Sequence, residues 1–404
     1  MSLQVPQKWQ WFTESRLGLF IHWGPYAEHG RGEQVLIRET LDQAHYEQQA
    51  CAWNPQHFDP AHWARIARRG GFKYAVLTTR HHDGYCLWDT RFTDYCSAQQ
   101  APRRDFVREY VDAFRAEGLR IGLYYSLGDW RIPAYYNGPA IDPQGWATFR
   151  DYCHNQVEEL LSNYGRIDLM WFDGAWPRSA EEWDSARLVQ TMRRLQPQIL
   201  INNRLGKSEP RPGSVSLDGG VGAGESQALG DYGTPEHHIT AERDRMWESC
   251  QVSTWRLWGF APGERWRGTD LLLDFLCECA EKGGNLLLNV GPDGQGQMPR
   301  EFIDRTDQIG RWLDTHAEAV LNTQASESFI ESVLFGRVTR KDNTLYLICR
   351  FWPEGGTLNV PGLATPIRHA ALLTTGEALT VSDYGRGYTL HGLPSRSPIE
   401  LFPV

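Results

Sequence analysis

The chain has no run of about 18 apolar residues, so none of its 404 residues read as a membrane span. It also lacks any excess of positive charge. Forty-one Lys and Arg face 50 Asp and Glu, a net charge of −9, which argues against nucleic acid or an anionic membrane as the main partner. Its eight cysteines, at positions 51, 86, 96, 153, 250, 277, 279 and 349, form no CxxC pair. That argues against a zinc ribbon or a thioredoxin-type site, and scattered thiols in a chain this long read as free and mostly buried. The opening segment MSLQVPQKWQWF has no apolar core of the secretory kind, so a cytoplasmic location is expected. There is no GxSxG elbow for a serine nucleophile. The glycine-rich residues 219–224 (GGVGAG) lack the Lys-Ser/Thr of a phosphate loop. Internal repeats and low-complexity segments are absent.

What the chain does have is tryptophan, 17 residues within a 12% aromatic share. A flat ring with a polar N–H suits the face of a sugar. Composition therefore puts a carbohydrate ligand beside the plainer reading of an aromatic-rich core. The length allows two or three domains, although one α/β barrel can take about 250 residues or more.

Short apolar runs alternate with amphipathic stretches. Residues 17–23 (LGLFIHW), 74–79 (YAVLTT), 120–126 (RIGLYYS), 168–172 (DLMWF), 199–203 (ILINN), 246–250 (MWESC) and 285–290 (NLLLNV) read as strands covered on both faces. Helical spacing fills 104–117, 146–161 and 269–281. Alternating βα units predict a parallel sheet closed into a (β/α)8-like barrel, irregular or incomplete because seven strands are counted. After about residue 323 the helical period vanishes. Short strands at 329–340, 344–351, 356–360, 370–373 and 387–390 predict a small C-terminal β-sandwich. The expected division is a barrel over 1–322 and a sandwich over 323–404.

In a barrel, polar residues at the carboxyl ends of strands are where chemistry collects. Six of the expected strands end in them: His22-Trp23-Gly24, Arg80-His81-His82-Asp83, Tyr124-Tyr125-Ser126, Trp171-Phe172-Asp173, Asn202-Asn203-Arg204 and Trp247-Glu248. Asp173 is the sharpest. An apolar strand delivers a carboxylate, and the following Ala-Trp-Pro does not start a helix that Asp173 would cap. His81 and His82 are adjacent, and neighbours on one chain rarely ligate a single ion, so hydrogen bonding to hydroxyls is their better role and no metal is expected.

The motifs FIHWGPY, RHHDGYCLWDT, GLYYSLGDW, LMWFDGAWP, INNR, GDYGTPE, WESC followed by WGF, and KGGNLLLNVGP occur in this order. This pattern resembles the family 29 α-L-fucosidases over about residues 9–300. The resemblance implies a barrel with a C-terminal β-sandwich, retaining hydrolysis of terminal α-L-fucosides, and no metal or organic cofactor. It implies a fucosylated oligosaccharide or glycoconjugate as partner; a homo-oligomer is compatible with the sequence. By motif, Asp173 takes the nucleophile's place and Glu236 that of the general acid/base, with Glu225 and Glu248 as rivals. His22, His81, His82 and Arg204 take sugar-binding places, as does the strand-three tyrosine, assigned to Tyr125 with Tyr124 as the alternative. The ring of the WGF segment is Trp258 or Phe260, Trp171 adds another, and Glu33 is the early acidic residue. Relatives often carry Glu-Trp where this chain has Glu33-Gln34, so one wall of the pocket departs from the pattern. Two other readings stand beside this one: a related barrel glycosidase for another sugar such as α-L-galactose, and a fucose-binding protein without catalysis.

The chemistry fits these residue types. Retention needs a nucleophilic carboxylate and a carboxylic acid about 5–5.5 Å from it. Seven tryptophans (Trp23, Trp88, Trp130, Trp171, Trp176, Trp247 and Trp258) lie in or beside the motifs, which predicts an aromatic-walled site able to bury the C6 methyl of fucose.

Overall fold

Strands that are apolar on both faces need cover on both, and a barrel wrapped in helices supplies it. The computed structural model describes residues 4–206, 229–242, 244–326, 333–363 and 365–397. Eight parallel strands follow one another: β1 (Leu17–Ile21), β2 (Tyr74–Arg80), β3 (Arg120–Ser126), β4 (Leu169–Asp173), β5 (Leu200–Ile201), β6 (Tyr232–Gly233), β7 (Met246–Val252) and β8 (Asn285–Val290). Their spatial order is β5-β4-β3-β2-β1-β8-β7-β6. Among the described residues, the two ends of this sheet meet through one bridge between Asn202 and Tyr232. The Asp231 amide reinforces it by donating to Ile201 O at 2.7 Å. The barrel is thus closed thinly, between two two-residue strands. β6 escaped the sequence reading because two residues carry no periodicity.

The main covering helices are α1 (Pro60–Arg69), α2 (Phe106–Ala116), α3 (Pro143–Asn163), α4 (Ser185–Leu195), α5 (Thr269–Glu281) and α6 (Arg300–Val320). Asp side chains cap three of them: Asp59 on the His62 amide, Asp105 on Arg108 and Asp142 on Gly145, at 2.8–2.9 Å.

Strand alternation sorts the core into two layers. Leu19 and Ile21, Ile121 and Leu123, and Met170 and Phe172 face the helices. Phe20, Tyr74, Tyr124, Leu169, Trp171 and Tyr232 fill the barrel interior. Gly18 makes room for this filling: a Cβ there would lie 2.2 Å from the Tyr74 ring. Moving two residues towards the carboxyl end replaces Phe20 by His22, Tyr124 by Ser126 and Trp171 by Asp173. An aromatic layer therefore carries a polar layer directly above it.

Beyond the barrel, β9 (Gln324–Ala325), β10 (Gly336–Lys341) and β11 (Thr344–Cys349) form one antiparallel sheet. A second contains β12 (Thr357–Pro361), β13 (Ala370–Ala371), β14 (Ala378–Asp383) and β15 (Gly387–His391). Val338, Leu358, Val360 and Leu390, from both sheets, share one apolar cluster. β14 was not anticipated, and of the strand expected at 329–340, residues 329–332 lie outside the described ones. The Arg337 guanidinium ties this region to α5 through Asp274 at 3.1 Å and Glu278 at 2.8 Å. All eight cysteines are free. Among the described residues, no helix is long and apolar enough to cross a membrane.

Candidate active site

At the carboxyl end of the barrel lies a cavity of about 220 Å³ lined by Phe20, His22, Glu33, Gln34, His81, His82, Tyr124, Trp171, Asp173, Trp176, Arg204, Glu236 and Trp258. Its floor is the aromatic layer. Tyr124 and Trp171 stack at 5.6 Å and 19°, and Phe20 tilts against Trp171 at 5.0 Å.

Asp173 rises from the end of β4 above this floor. Its Oδ2 accepts the Tyr124 hydroxyl at 3.0 Å and lies 3.6 Å from His82 Nε2. Its Oδ1 lies 3.3 Å from Arg204 Nη1. The other arm of the same guanidinium, Nη2, donates to Glu236 Oε2 at 2.8 Å. One buried cation therefore holds two carboxylates from different strand-end loops. Arg204 is itself fixed by Thr234 Oγ1 at 2.9 Å and by its stacking 4.7 Å over the Trp171 ring. Burial alone would lower the basicity of Arg204, but the charges of Glu236 and Asp173 outweigh it and raise the guanidinium above its ordinary value. The second oxygen of Glu236 lies 3.4 Å from His237 Nε2.

The three histidines are buried, and burial lowers the pKa of each. His22 is pushed down to about 3, His81 lies well below its usual value, and His82 is lowered against the opposing pull of Asp173. They are neutral hydrogen-bonding groups at neutral pH. His22 Nδ1 pairs with Asn289 Oδ1 at 2.6 Å, and His82 Nδ1 with Ser126 Oγ at 2.7 Å. In both cases Nε2 is the ring nitrogen left for a ligand. Burial and the Asp173 charge raise the Tyr124 phenol well above 10, so it stays a donor.

Glu33 lines the cavity while holding its opposite wall. Its Oε2 accepts the amides of Trp258 at 3.1 Å and Gly259 at 2.8 Å. Gln34 stands beside it in the lining, where the related pattern has Trp.

Most of the expected site residues converge here: His22, Glu33, His81, His82, Trp171, Asp173, Arg204, Glu236 and Trp258. Tyr125 does not. It shares the helix-facing side of β3 with Ile121 and Leu123 and donates to Gln156 Oε1 at 2.8 Å, so Tyr124 is the strand-three tyrosine of the cavity. The parity within RIGLYYS already carried that signal. Phe260 lies outside the cavity and Trp258 within it. Glu248 sits one layer too deep. It accepts Tyr74 Oη at 2.5 Å and Trp171 Nε1 at 3.1 Å, and burial raises its pKa to about 7. Glu225 lies outside the described residues. Of the seven tryptophans expected near the site, three line the cavity (Trp171, Trp176 and Trp258), and Trp130 packs on His82 at 5.1 Å. Trp23, Trp88 and Trp247 belong to the core layer. Phe20 carried no signal, Gln34 entered only as a departure from the related pattern, and no role was assigned to the partners Asn289 and Ser126. The last two act through neighbours that only the folded barrel brings together.

A family model described as alpha-L-fucosidase matches residues 1–318. An alpha-L-fucosidase of Branchiostoma floridae is 27% identical over 416 residues, covering 92% of this chain and 88% of that protein. The human tissue alpha-L-fucosidase is 28% identical over 381 residues, 87% of this chain and 77% of its own length. Among solved structures, alpha-L-fucosidase isoenzyme 1 from Paenibacillus thiaminolyticus superposes with a TM-score of 0.87 at 34% identity, over 98% of this chain and 97% of that one. A GH29 alpha-L-fucosidase from Bacteroides thetaiotaomicron, trapped as a covalent intermediate with 2-fluoro-fucosyl fluoride, superposes with a TM-score of 0.85 at 26% identity, over 98% and 95%.

Proposed function

Since the chain belongs to the α-L-fucosidase family, we propose that its barrel cavity performs the family's hydrolysis with Asp173 as nucleophile and Glu236 as general acid/base. It is a glycoside hydrolase, and its reaction is the retaining release of terminal α-L-fucosyl residues by double displacement. One observation carries the residue assignment: Arg204 holds the Asp173 and Glu236 carboxylates together at the mouth of an aromatic-floored pocket.

In the first step Asp173 attacks the anomeric carbon while protonated Glu236 gives its proton to the departing oxygen. Arg204 then has an ionised Asp173 to face. Once the ester has formed, that charge is gone and the guanidinium faces Glu236 alone. Glu236, having given up its proton, is the base that the incoming water requires. A single cation thus contacts both carboxylates that the two steps use. Tyr124 supports the Asp173 carboxylate when it is released again. The neutral Nε2 atoms of His22 and His82 orient the sugar hydroxyls, and Trp258 offers a ring to its C–H groups and methyl, while Trp171 beneath supports Arg204.

The fucosylated glycan is the partner this reading requires. Eight free thiols support a reducing, cytoplasmic setting. The separate apolar cluster after α6 supports a domain boundary at 322/323.

The assay is release of p-nitrophenol from p-nitrophenyl α-L-fucoside by the wild type and by Asp173→Ala. Release by the wild type with a loss of at least about 10³-fold in the variant supports the assignment. Undiminished release by the variant overturns it.

A further inference from the structure

The Trp258 segment walls more than one cavity. Trp258 lines the catalytic pocket, and Phe260, two residues on, lines a second cavity of about 720 Å³. Gly259 between them lies against Glu33, where a Cβ would come within 2.7 Å of its amide nitrogen. The Phe260 carbonyl accepts the Gly32 amide at 3.0 Å. The partition is therefore thin and pinned to the residues beside the catalytic pocket.

The second cavity opens among the loops that follow β1, β7 and β8, on the same face of the barrel. Its base is rigid. Three indoles donate to backbone carbonyls of one loop: Trp23 to Asp293 O at 2.9 Å, Trp53 to Gly294 O at 2.7 Å and Trp63 to Gly296 O at 3.0 Å. Its sides offer the Phe260 and Trp266 rings, the imidazoles of His57 and His62, and the Glu301 carboxylate, while Asp293 Oδ1 is taken by the amides of Gln295 at 2.9 Å and Gln297 at 2.8 Å. Arg305 lies 5.7 Å from the Trp266 ring centre and supports it. Arg300, also in the lining, is engaged by Asp304 at 2.8 Å.

We propose that this cavity is a second saccharide site, one that takes a neutral sugar unit other than the fucose held in the catalytic pocket. Two rings for C–H faces, with imidazole and carboxylate groups for hydroxyls, are the chemistry of sugar recognition. Anionic sugars are disfavoured by the carboxylates. The inference rests on the fucosidase reading only for its expectation that a fucosylated glycan brings further sugars to this face.

The probe is N-acetyllactosamine, titrated to millimolar concentration by isothermal calorimetry and ligand-observed NMR, with the catalytic pocket saturated by L-fucose. Saturable binding is expected to persist with fucose present. It should weaken at least tenfold in Trp266→Ala and measurably in His62→Ala. Both variants should hydrolyse p-nitrophenyl α-L-fucoside within about twofold of the wild type, while KM for a fucosylated N-acetyllactosamine rises several-fold. His62 is exposed on α1, so its variant remains informative if Trp266→Ala folds poorly. Absence of binding with fucose present, or binding undiminished in both variants, overturns the proposal. Failure of the wild type to release p-nitrophenol would instead count against the fucosidase reading.

Discussion

The Tyr124 hydroxyl donates to Asp173 Oδ2 at 3.0 Å, while the next residue, Tyr125, turns away and donates to Gln156. Two adjacent tyrosines thus have opposite assignments. A hydrogen bond to a charged group contributes about 1.5–3 kcal/mol. Tyr124→Phe should lower kcat about 10–100-fold, with KM moving less. Tyr125→Phe should leave both constants near wild type and cost about 1 kcal/mol of stability. Steady-state kinetics beside thermal melts of the two variants distinguish them.

Arg204 bonds Asp173 with one arm and Glu236 with the other, a task for a planar fork rather than a point charge. Arg204→Lys should therefore fail to rescue the site although it keeps the charge. A fall in kcat/KM of about 10²-fold or more is expected. Activity within threefold of wild type would show that charge alone suffices.

Glu236 has its own test against its rivals. On an activated aryl fucoside, Glu236→Ala should be slow, and azide should accelerate it and yield a fucosyl azide. Glu248→Ala should gain nothing from azide, because Glu248 is buried beneath the Trp171 indole that it accepts. Product analysis by NMR reads the outcome. Azide rescue at 225 or 248, with failure at 236, would move the acid/base role.

The buried histidines predict the acid limb of stability. His22 and His154 have folded pKa values of about 3 and about 4, below the 6.5 of an exposed imidazole. Between those values the unfolded chain binds more protons. The stability contributed by each group is fully present above pH 6.5 and is lost as pH falls towards its folded pKa. The slope approaches about 1.4 kcal/mol per pH unit per group. Glu248 and Asp83, raised by burial to about 7 and about 6, act in the opposite sense: their contribution is lost as pH rises through those values. The two pairs offset each other between about pH 4.5 and 6, so melting temperature should change little there and fall below about pH 4.5, where the histidines act alone, and His22→Asn should flatten that decline. An unchanged acid slope in the variant would contradict the assignment.

Much of this was legible in the chain because apolar strands and their polar ends are local signals. The runs 120–126 and 285–290 coincide with β3 and β8, and α5 runs over the 269–281 expected. Asp173 was identifiable because an apolar strand delivers it. The less legible features depend on contacts between distant segments. Nothing local in Tyr232-Gly233 says strand; its role comes from pairing with β7 and from the Asn202 bridge. Asn289 matters because β8 lies beside β1, which puts it on His22. Glu33 was identified as an acidic candidate, but its hold on the Trp258 and Gly259 amides spans more than 200 residues of sequence. The tryptophan excess misled in part, since Trp23, Trp88 and Trp247, expected beside the site, pack in the core instead.

The central claim is that Asp173 forms the covalent bond to the sugar. Incubation with 2-fluoro-fucosyl fluoride, followed by intact mass and peptide mapping, tests it directly. The account predicts one 2-fluorofucosyl group per chain, carried on the peptide that contains Asp173 and absent from Asp173→Ala. A label on Glu236, or a wild-type enzyme that turns over the natural sugar yet never becomes labelled, would contradict it.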